Sequence, residues 1–206
     1  RVISNREKEL TAFHEAGHAL VAHHLPDADR PYKVTIVARG SSGGHTRYLP
    51  EEDRHLWTKK QFNDMLAAAM GGRAAEEVVF DEVTTGASND LEQATNIART
   101  MVTRYGMSKK LGPRTFGKRD ELVFLGKDFG EKRDYSDTVA ETIDEEVRKL
   151  IDNAYSKAKK LVSAHRANLT SIAKYLLDNE TVEGDDLNKL LTAKHKKATQ
   201  TAPTLL

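Results

Sequence analysis

Apolar residues recur at helical spacing between residues 136 and 165, and this long stripe restricts the fold more than any other feature of the sequence. Valine, isoleucine, leucine or alanine stands at almost every third or fourth position there, which places these side chains on one face of an α-helix. The chain is therefore expected to be mainly α. Shorter stripes of the same period predict further helices over residues 1–24, 58–79, 89–102, 169–177 and 185–191.

A small β-sheet is expected near residues 33–49. Residues 33–38, KVTIVA, are mostly β-branched or apolar, and residues 45–49 form a second extended run after a glycine-rich turn. These runs predict a short hairpin or meander. The fold class is thus mainly α with a small β-sheet. We expect residues 1–134 to carry the chemistry, residues 135–192 to form a C-terminal helical region that packs on them, and residues 193–206 to be a frayed basic tail.

Several glycines interrupt the helical pattern. Gly71 and Gly72 stand inside the helix predicted over residues 58–79, where each costs about 1 kcal/mol relative to alanine, so we expect another part of the chain to pack closely there.

Ser88 or Asn89 is expected to cap the next helix. The glycine-rich residues 106–134 predict a long loop, which is either a wall of a binding cleft or a plain surface loop.

The composition excludes several classes of protein. The 206 residues include no cysteine, so disulfides, Fe–S clusters and thiolate zinc sites are excluded, and any metal must be held by His, Asp or Glu. With 32 Lys and Arg against 31 Asp and Glu, the net charge is +1, which argues against a nucleic-acid partner. The apolar runs fall far short of the roughly 20 residues that a membrane-spanning helix needs.

Residues 14–18, HEAGH, carry the strongest chemical signal. Residues four apart on a helix differ by about 40° around the axis and about 6 Å along it, so His14 and His18 project from one face and can bind one cation together. Glu15 lies beside that cation but off the ligand line, where a carboxylate can take a proton from an activated water. The plain alternative is a solvated helix that happens to be rich in histidine.

A catalytic zinc ion needs a third protein ligand, and histidine supplies only weak candidates. His24 stands ten residues after His14. On a continuous helix it lies about 9 Å beyond His18 and about 120° around the axis, which is the wrong side. His23 is a weaker candidate still.

Carboxylates supply the other candidates for the third ligand. Glu76 or Glu77 can ligate the metal or, in the role we favour, accept a hydrogen bond from the second nitrogen of a ligand imidazole. Asp90 lies in a turn that leads into a helix, where a carboxylate is electrostatically favoured. From the residues alone, the choice among these candidates stays open.

Seven segments of the sequence match a known pattern in combination. They are HEAGHALVAH (14–23), GGRAAEEVVF (71–80), TTGASNDLEQAT (84–95), ARTMVTRYGMSKKLGP (98–113), VFLGKD (123–128), YSDTVAETIDEEV (135–147) and ETVEGDDL (180–187). Together they resemble the protease domain of the FtsH-type family, whose members are membrane-anchored, ATP-dependent zinc metalloproteases. The resemblance covers residues 1 to about 191 and implies a helical zincin-like protease domain with Zn²⁺ as cofactor.

The resemblance implies a role for each site residue. In the family the two histidines of HEAGH and the aspartate of the GASND turn bind zinc, and the intervening glutamate is the general base. This sequence keeps all of these residues. His14, His18 and Asp90 are therefore implied as the metal ligands and Glu15 as the base, which selects Asp90 among the open candidates.

The resemblance also implies the context of the domain. The expected substrates are unfolded or loosely folded polypeptides, and residues 135–192 are expected to contribute to a homo-hexamer interface. The full-length protein is implied to carry an ATPase module and a membrane anchor, with the protease domain on the cytoplasmic or organelle-matrix side. No G-x-x-x-x-G-K-[ST] phosphate loop occurs in this sequence, so we expect a soluble fragment without the ATPase module and the anchor.

One extended run near the motif is a candidate substrate site. The turn at Gly43 and Gly44 leads into the extended run of residues 45–49, which, if it is an edge strand, can bind an unfolded polypeptide as an added strand, with Gly43, Gly44, His45 and Thr46 as the candidate substrate-binding residues. The alternative is an ordinary hairpin strand.

Two other functions compete with proteolysis. One is a non-catalytic metal-binding or oligomerisation module, in which Glu15 has no role as a base. The other is a metalloenzyme acting on a small amide, which a closed pocket beside the metal would favour over an open groove.

Overall fold

The computed structural model describes residues 4–38, 43–49, 55–117 and 133–195. The described residues are mainly helical and include one small antiparallel sheet, which confirms the expected fold class. In chain order the elements are α1 (Asn5–His23), β1 (Arg30–Thr35), β2 (His45–Leu49), α2 (Lys59–Ala69), α3 (Gly71–Phe80), α4 (Ser88–Thr103), α5 (Asp137–Ala164), α6 (Arg166–Asn179), β3 (Thr181–Glu183) and α7 (Gly184–Thr192).

Helix α1 lies at the centre of the molecule. It begins with the predicted capping box, in which Ser4 Oγ accepts from the Glu7 N–H and the Glu7 carboxylate accepts from the Ser4 N–H, both at 3.1 Å. Its residues from Ala12 to Ala22 are all buried, because α2, α3, α6 and the sheet pack around it. The HEAGH segment is therefore held inside the buried core.

The helix predicted over residues 58–79 is in fact two helices, so that prediction is wrong. Helix α2 ends at Ala69 with Met70 as its C-cap, and α3 begins at Gly71. A Cβ atom on Gly71 would lie 2.6 Å from the Gly17 carbonyl oxygen, and one on Gly17 would lie 2.3 Å from the Gly71 carbonyl oxygen. The close packing expected at the glycine pair is confirmed, and it is a contact between the backbones of α1 and α3.

In the described ranges the sheet has three strands, in the order β2-β1-β3. Strand β1 pairs with β2 from Arg30↔Leu49 to Thr35↔His45, and the register shifts between Pro31 and Lys33, where the proline has no N–H to donate. The sequence prediction placed the first strand at residues 33–38 and missed β3, which is only three residues long. Strand β2 lies at one edge of the sheet.

The C-terminal helices pack on the same core as α1. The predicted stripe on α5 is confirmed, because Ile143, Val147, Ala154, Ala158 and Val162 are buried. One continuous hydrophobic core joins residues from both sides of the expected boundary at 134 and 135, and the division into two regions stays a prediction.

Some sequence predictions concern residues outside the described ranges. They are residues 1–3 of the first helix, residues 40–42 of the glycine-rich turn, residues 118–132 of the long loop, which include the VFLGKD segment, and residues 196–206 of the tail. No helix in the described part of the chain combines the length and the apolar character that a membrane span needs.

Candidate metal centre

The two histidines of the HEAGH segment lie side by side on α1. Their ring centroids are 4.7 Å apart, and the Nε2 atoms of His14 and His18 are 3.0 Å apart. Both side chains are buried, with about 8% and 6% of each residue exposed. The spacing of four residues thus produces the geometry expected from the helical repeat.

Asp90 completes a cluster of three donor atoms. Its Oδ2 atom lies 3.2 Å from His14 Nε2 and 3.3 Å from His18 Nε2. Asp90 is in the first turn of α4, which follows a short 3₁₀ helix at Thr85–Ala87. The N-cap of α4 is Ala87, so the expectation of a Ser88 or Asn89 cap is wrong by one or two residues.

The remaining ring nitrogens fix the orientation of the two imidazoles. His14 Nδ1 donates to Glu76 Oε1 at 2.7 Å, and His18 Nδ1 donates to the Ala68 carbonyl oxygen at 2.8 Å. Glu76 is itself held, because its Oε2 accepts from the Thr84 N–H at 2.7 Å. With both Nδ1 atoms engaged in this way, the Nε2 atoms of both rings face Asp90.

The electrostatics of the cluster favour a cation. Burial lowers the pKa of His14, but hydrogen bonds to Asp90 and Glu76 and the nearby charge of Glu15 outweigh it and raise the pKa to about 10. Burial raises the pKa of Asp90, and the hydrogen bonds with His14 and His18 outweigh it, so its pKa lies well below the usual range. Negative charge is therefore concentrated around the imidazoles, and a metal ion can replace the proton that they would otherwise hold.

The three donor atoms fit a tetrahedral metal ion. Ligand atoms bound at 2.0–2.1 Å around a tetrahedral zinc ion lie about 3.3 Å from one another. The three separations in this cluster are 3.0, 3.2 and 3.3 Å. Among the described residues, His14, His18 and Asp90 are the group of His, Asp and Glu side chains whose donor atoms lie close enough together to hold a metal ion. Two imidazoles and one carboxylate are a donor set that zinc accepts.

Glu15 lies next to this cluster and is bound to the edge strand. About 7% of the residue is exposed. Its Oε2 atom accepts a hydrogen bond of 2.8 Å from Thr46 Oγ1 on β2. The carboxylate therefore has a defined position beside the metal-binding cluster.

A wide cleft runs along this part of the molecule. Its volume is about 1400 Å³, and it is lined by His14, Glu15, His18 and Asp90 together with the candidate substrate residues Gly43, Gly44, His45 and Thr46. Pockets for small molecules usually have volumes of about 300–1000 Å³. The larger cleft fits a polymer better than a small amide.

Other candidate residues lie away from the three donor atoms. His24 stacks on His165 with ring centroids 3.7 Å apart, and His23 contacts the His24 ring edge to face. Glu77 accepts a hydrogen bond from Tyr155 on α5 and forms an ion pair with Lys159. Of the two glutamates, only Glu76 contacts a histidine of the cluster.

Sequence reasoning missed two groups that line or orient the site. Tyr48 lines the cleft, and burial, together with the charges of Glu15 and Asp90, raises the pKa of its hydroxyl far above the usual range. It lies two residues after Thr46 on β2, so the alternation of a strand could have identified it. The Ala68 carbonyl that orients His18 is a backbone group and has no signal in the sequence.

A mainly helical domain that presents two histidines of an HExxH helix and a carboxylate beside an open cleft has the site of a metallopeptidase. The chain belongs to Peptidase family M41, whose model matches residues 1–190.

The chain is also similar to proteins named as ATP-dependent zinc metalloproteases. The chain is 60% identical over 190 residues to "ATP-dependent zinc metalloprotease FtsH 1" of Sphaerobacter thermophilus, a match that covers 92% of this chain and 29% of that protein. It is 55% identical over 205 residues to the protein of the same name from Thermomicrobium roseum, covering 100% of this chain and 31% of that protein. For "ATP-dependent zinc metalloprotease FtsH" of Thermotoga maritima, the identity is 46% over 201 residues, with 97% and 33% covered. The chain thus spans about a third of the length of these relatives.

Proposed function

We propose that this chain is the zinc-dependent endopeptidase domain of an FtsH-type ATP-dependent protease and hydrolyses peptide bonds of unfolded polypeptides. The observation that carries the proposal is the convergence of His14 Nε2, His18 Nε2 and Asp90 Oδ2 beside the Glu15 carboxylate in a wide cleft. The names of the relatives, which are zinc metalloproteases, support the choice of metal and reaction.

In this proposal each residue of the site has one task. His14, His18 and Asp90 hold Zn²⁺, and Glu76 keeps the His14 ring in the orientation that presents Nε2. Bound Zn²⁺ supplies Lewis acidity, which polarises a peptide carbonyl and lowers the pKa of water toward about 7. The Glu15 carboxylate takes a proton from the attacking water and then delivers it to the amine that leaves.

The edge strand β2 supplies the binding site for the substrate backbone in this proposal. Within the described residues β2 is an outer strand of the sheet and pairs with β1, and its first residues line the cleft. A polypeptide that lies along β2 and the residues before it, at Gly43, Gly44, His45 and Thr46, forms backbone hydrogen bonds that tolerate many sequences. An unfolded chain can expose its backbone in this way, whereas a folded protein cannot.

The proposal for the whole protein rests on the family resemblance of the sequence; the relatives, named ATP-dependent zinc metalloproteases, are about three times as long as this chain. We propose that it is a homo-hexamer, that it includes an ATPase module that delivers substrate, and that a membrane anchor holds the protease domain on the cytoplasmic or organelle-matrix side. Residues 1–134 form the catalytic region in this scheme, and residues 135–192 contribute to contacts between subunits.

Glu15→Gln tests the proposed reaction. The amide cannot accept the proton, so we expect hydrolysis of casein or of an unstructured peptide to fall by at least about 100-fold. Zinc content should stay at the wild-type level, because Glu15 is not among the three donors. The measurements are the rate of hydrolysis and the zinc content of the purified protein.

Glu9→Gln on the outer side of α1 is the matched control and should keep both activity and zinc. A Glu15→Gln variant that hydrolyses casein at the wild-type rate would contradict the mechanism. If the wild-type protein binds one zinc ion and hydrolyses no polypeptide, the chain is a non-catalytic metal-binding module instead.

A further inference from the structure

Thr46 contacts the carboxylate that the proposed function assigns as the general base. Thr46 Oγ1 lies 2.8 Å from Glu15 Oε2 and 3.1 Å from the Glu15 carbonyl oxygen. A hydroxyl group has one proton to donate. The carboxylate oxygen is closer and carries charge, so it is the stronger acceptor of that proton.

The two oxygens of the Glu15 carboxylate have different surroundings. Oε2 is held by Thr46, whereas Oε1 has no hydrogen-bond partner within the described ranges of the chain. Glu15 lines the cleft. The hydrogen bond thus occupies one oxygen and leaves the other available to a water molecule in the cleft.

The position of Thr46 depends on a close contact between β2 and α1. Gly44 is buried between the two elements, and a Cβ atom there would lie 2.7 Å from the Thr35 carbonyl oxygen and 3.0 Å from Glu15 Cγ. Thr46 is paired with Val34 of β1 in the sheet register. Because β2 is paired with β1 and packed against α1, the Thr46 hydroxyl has little freedom to move away from Glu15.

We propose that Thr46 is a positioning residue for the reaction: it holds Oε2 of Glu15, so that Oε1 is the atom that takes and returns the proton. This proposal rests on the proposed function and adds a residue from β2 to the machinery of α1. The side chain of Thr46 acts on the base, while its backbone belongs to the strand that the proposed function assigns to substrate binding.

Thr46→Val and Thr46→Ser test this role. Valine has a similar shape but cannot donate, so we expect kcat to fall by about 10- to 100-fold, the usual cost of removing a group that orients a reacting side chain. KM should change by less than about twofold, and zinc content and the unfolding temperature should stay near wild type. Serine keeps the hydroxyl and should recover most of the lost kcat. The assay measures kcat and KM of the zinc-loaded chain on an unstructured, internally quenched peptide.

Thr35→Val on the neighbouring strand is the matched control. The Thr35 hydroxyl interacts with Thr181 Oγ1 at 2.7 Å and does not contact Glu15. We expect this variant to lower the unfolding temperature and to keep the wild-type kcat. Comparing Thr35→Val with Thr46→Val distinguishes the effect of losing any threonine hydroxyl in the sheet from the effect of losing the hydroxyl that is bonded to Glu15.

Several results would overturn the positioning role. They are a wild-type kcat for Thr46→Val, equal losses for valine and serine, a raised KM with an unchanged kcat, and a loss of zinc. An inactive Glu15→Gln variant beside any of these results would leave the proposed function standing and remove only the role of Thr46. An active Glu15→Gln variant would instead remove the proposed function itself.

Discussion

At the scale of single residues, the metal centre depends on the groups that hydrogen-bond to the Nδ1 atoms of the two histidines and so fix their rings. The His14 ring is fixed by Glu76 Oε1 on one side and by Gly72 on the other, where a Cβ atom would lie 2.5 Å from the ring. His18 is fixed by the Ala68 carbonyl oxygen. Rotation of either ring would break a buried hydrogen bond, which costs about 1–3 kcal/mol, so the donors are in place before a metal binds.

Asp90→Ala tests the third ligand at this scale. The variant leaves two imidazoles without the carboxylate, so we expect zinc affinity to fall by at least about 100-fold and hydrolysis to be lost with it. The measurement is zinc content after dialysis against a weak chelator.

The neighbouring variant Asn89→Ala is the control and should keep its zinc. Full zinc retention by Asp90→Ala would transfer the role of third ligand to Glu76, Glu77 or His24. Combining Asp90→Ala with a substitution at each of these would then identify the donor.

At the scale of elements, the site depends on how closely α1 approaches α3. The two helices meet at Gly17 and Gly71, where either Cβ atom would lie under 3 Å from the backbone of the other helix. The same approach brings Glu76 on α3 to His14 on α1. The contact between Gly17 and Gly71 thus allows the Glu76 carboxylate to reach Nδ1 of His14.

Gly17→Ala tests this contact. Alanine in a helix is normally more stable than glycine by about 0.5–1 kcal/mol. At this position the new methyl group would meet the Gly71 carbonyl oxygen at 2.3 Å. We expect the clash to dominate and the free energy of unfolding to fall by about 1–3 kcal/mol. Urea denaturation measures the change, and a Gly17→Ala variant more stable than wild type would show that the helices can separate without cost.

At the scale of the whole molecule, a histidine cluster connects α1 to the C-terminal helices. His24 follows α1 and stacks on His165, which lies between α5 and α6. The Nε2 atom of His24 is buried and has no hydrogen-bond partner within the described residues. Burial, followed by the charges of His165 and His23, lowers the pKa of His24 to about 4. Burial, followed by the charges of Arg30 and His165, also lowers the pKa of His23.

The pH dependence of stability follows from the sign of this shift. In the unfolded chain His24 takes up a proton near its ordinary pKa of 6.5, whereas in the folded chain it does so only near pH 4. The unfolded state therefore binds more protons between these values, and the free energy of unfolding falls as the pH decreases from about 6.5 to about 4. Above pH 6.5 the contribution of His24 to stability is complete.

His24→Gln should reduce this dependence. We expect the unfolding temperature of the variant to fall less than that of the wild type between pH 6.5 and pH 4.5. His55→Gln, which replaces an exposed histidine, is the control and should follow the wild-type curve. Parallel curves for His24→Gln and wild type would contradict the prediction.

Local periodicity was sufficient for much of the fold. The α5 stripe and the α1 capping box were predicted because both depend on residues three or four positions apart. The break at Met70 was not predictable, because it depends on the backbone of α1, more than fifty residues earlier in the chain. Strand β3 was missed because three residues carry almost no alternation, and pairing with β1 makes them a strand.

The sequence by itself determined the helical class, the exclusion of thiolate chemistry, and the pair His14 and His18 with Glu15 between them, because these depend on composition and on a helical repeat of four residues. Tertiary structure decided which distant groups meet that pair. Glu76 and Asp90 reach His14 from 62 and 76 residues away, and Thr46 reaches Glu15 from 31 residues away. No periodicity relates residues at such separations. Helix α3 and strand β2 pack against α1, while α4 is held in place by α2 and α5, and together these contacts bring the distant groups to the histidine pair.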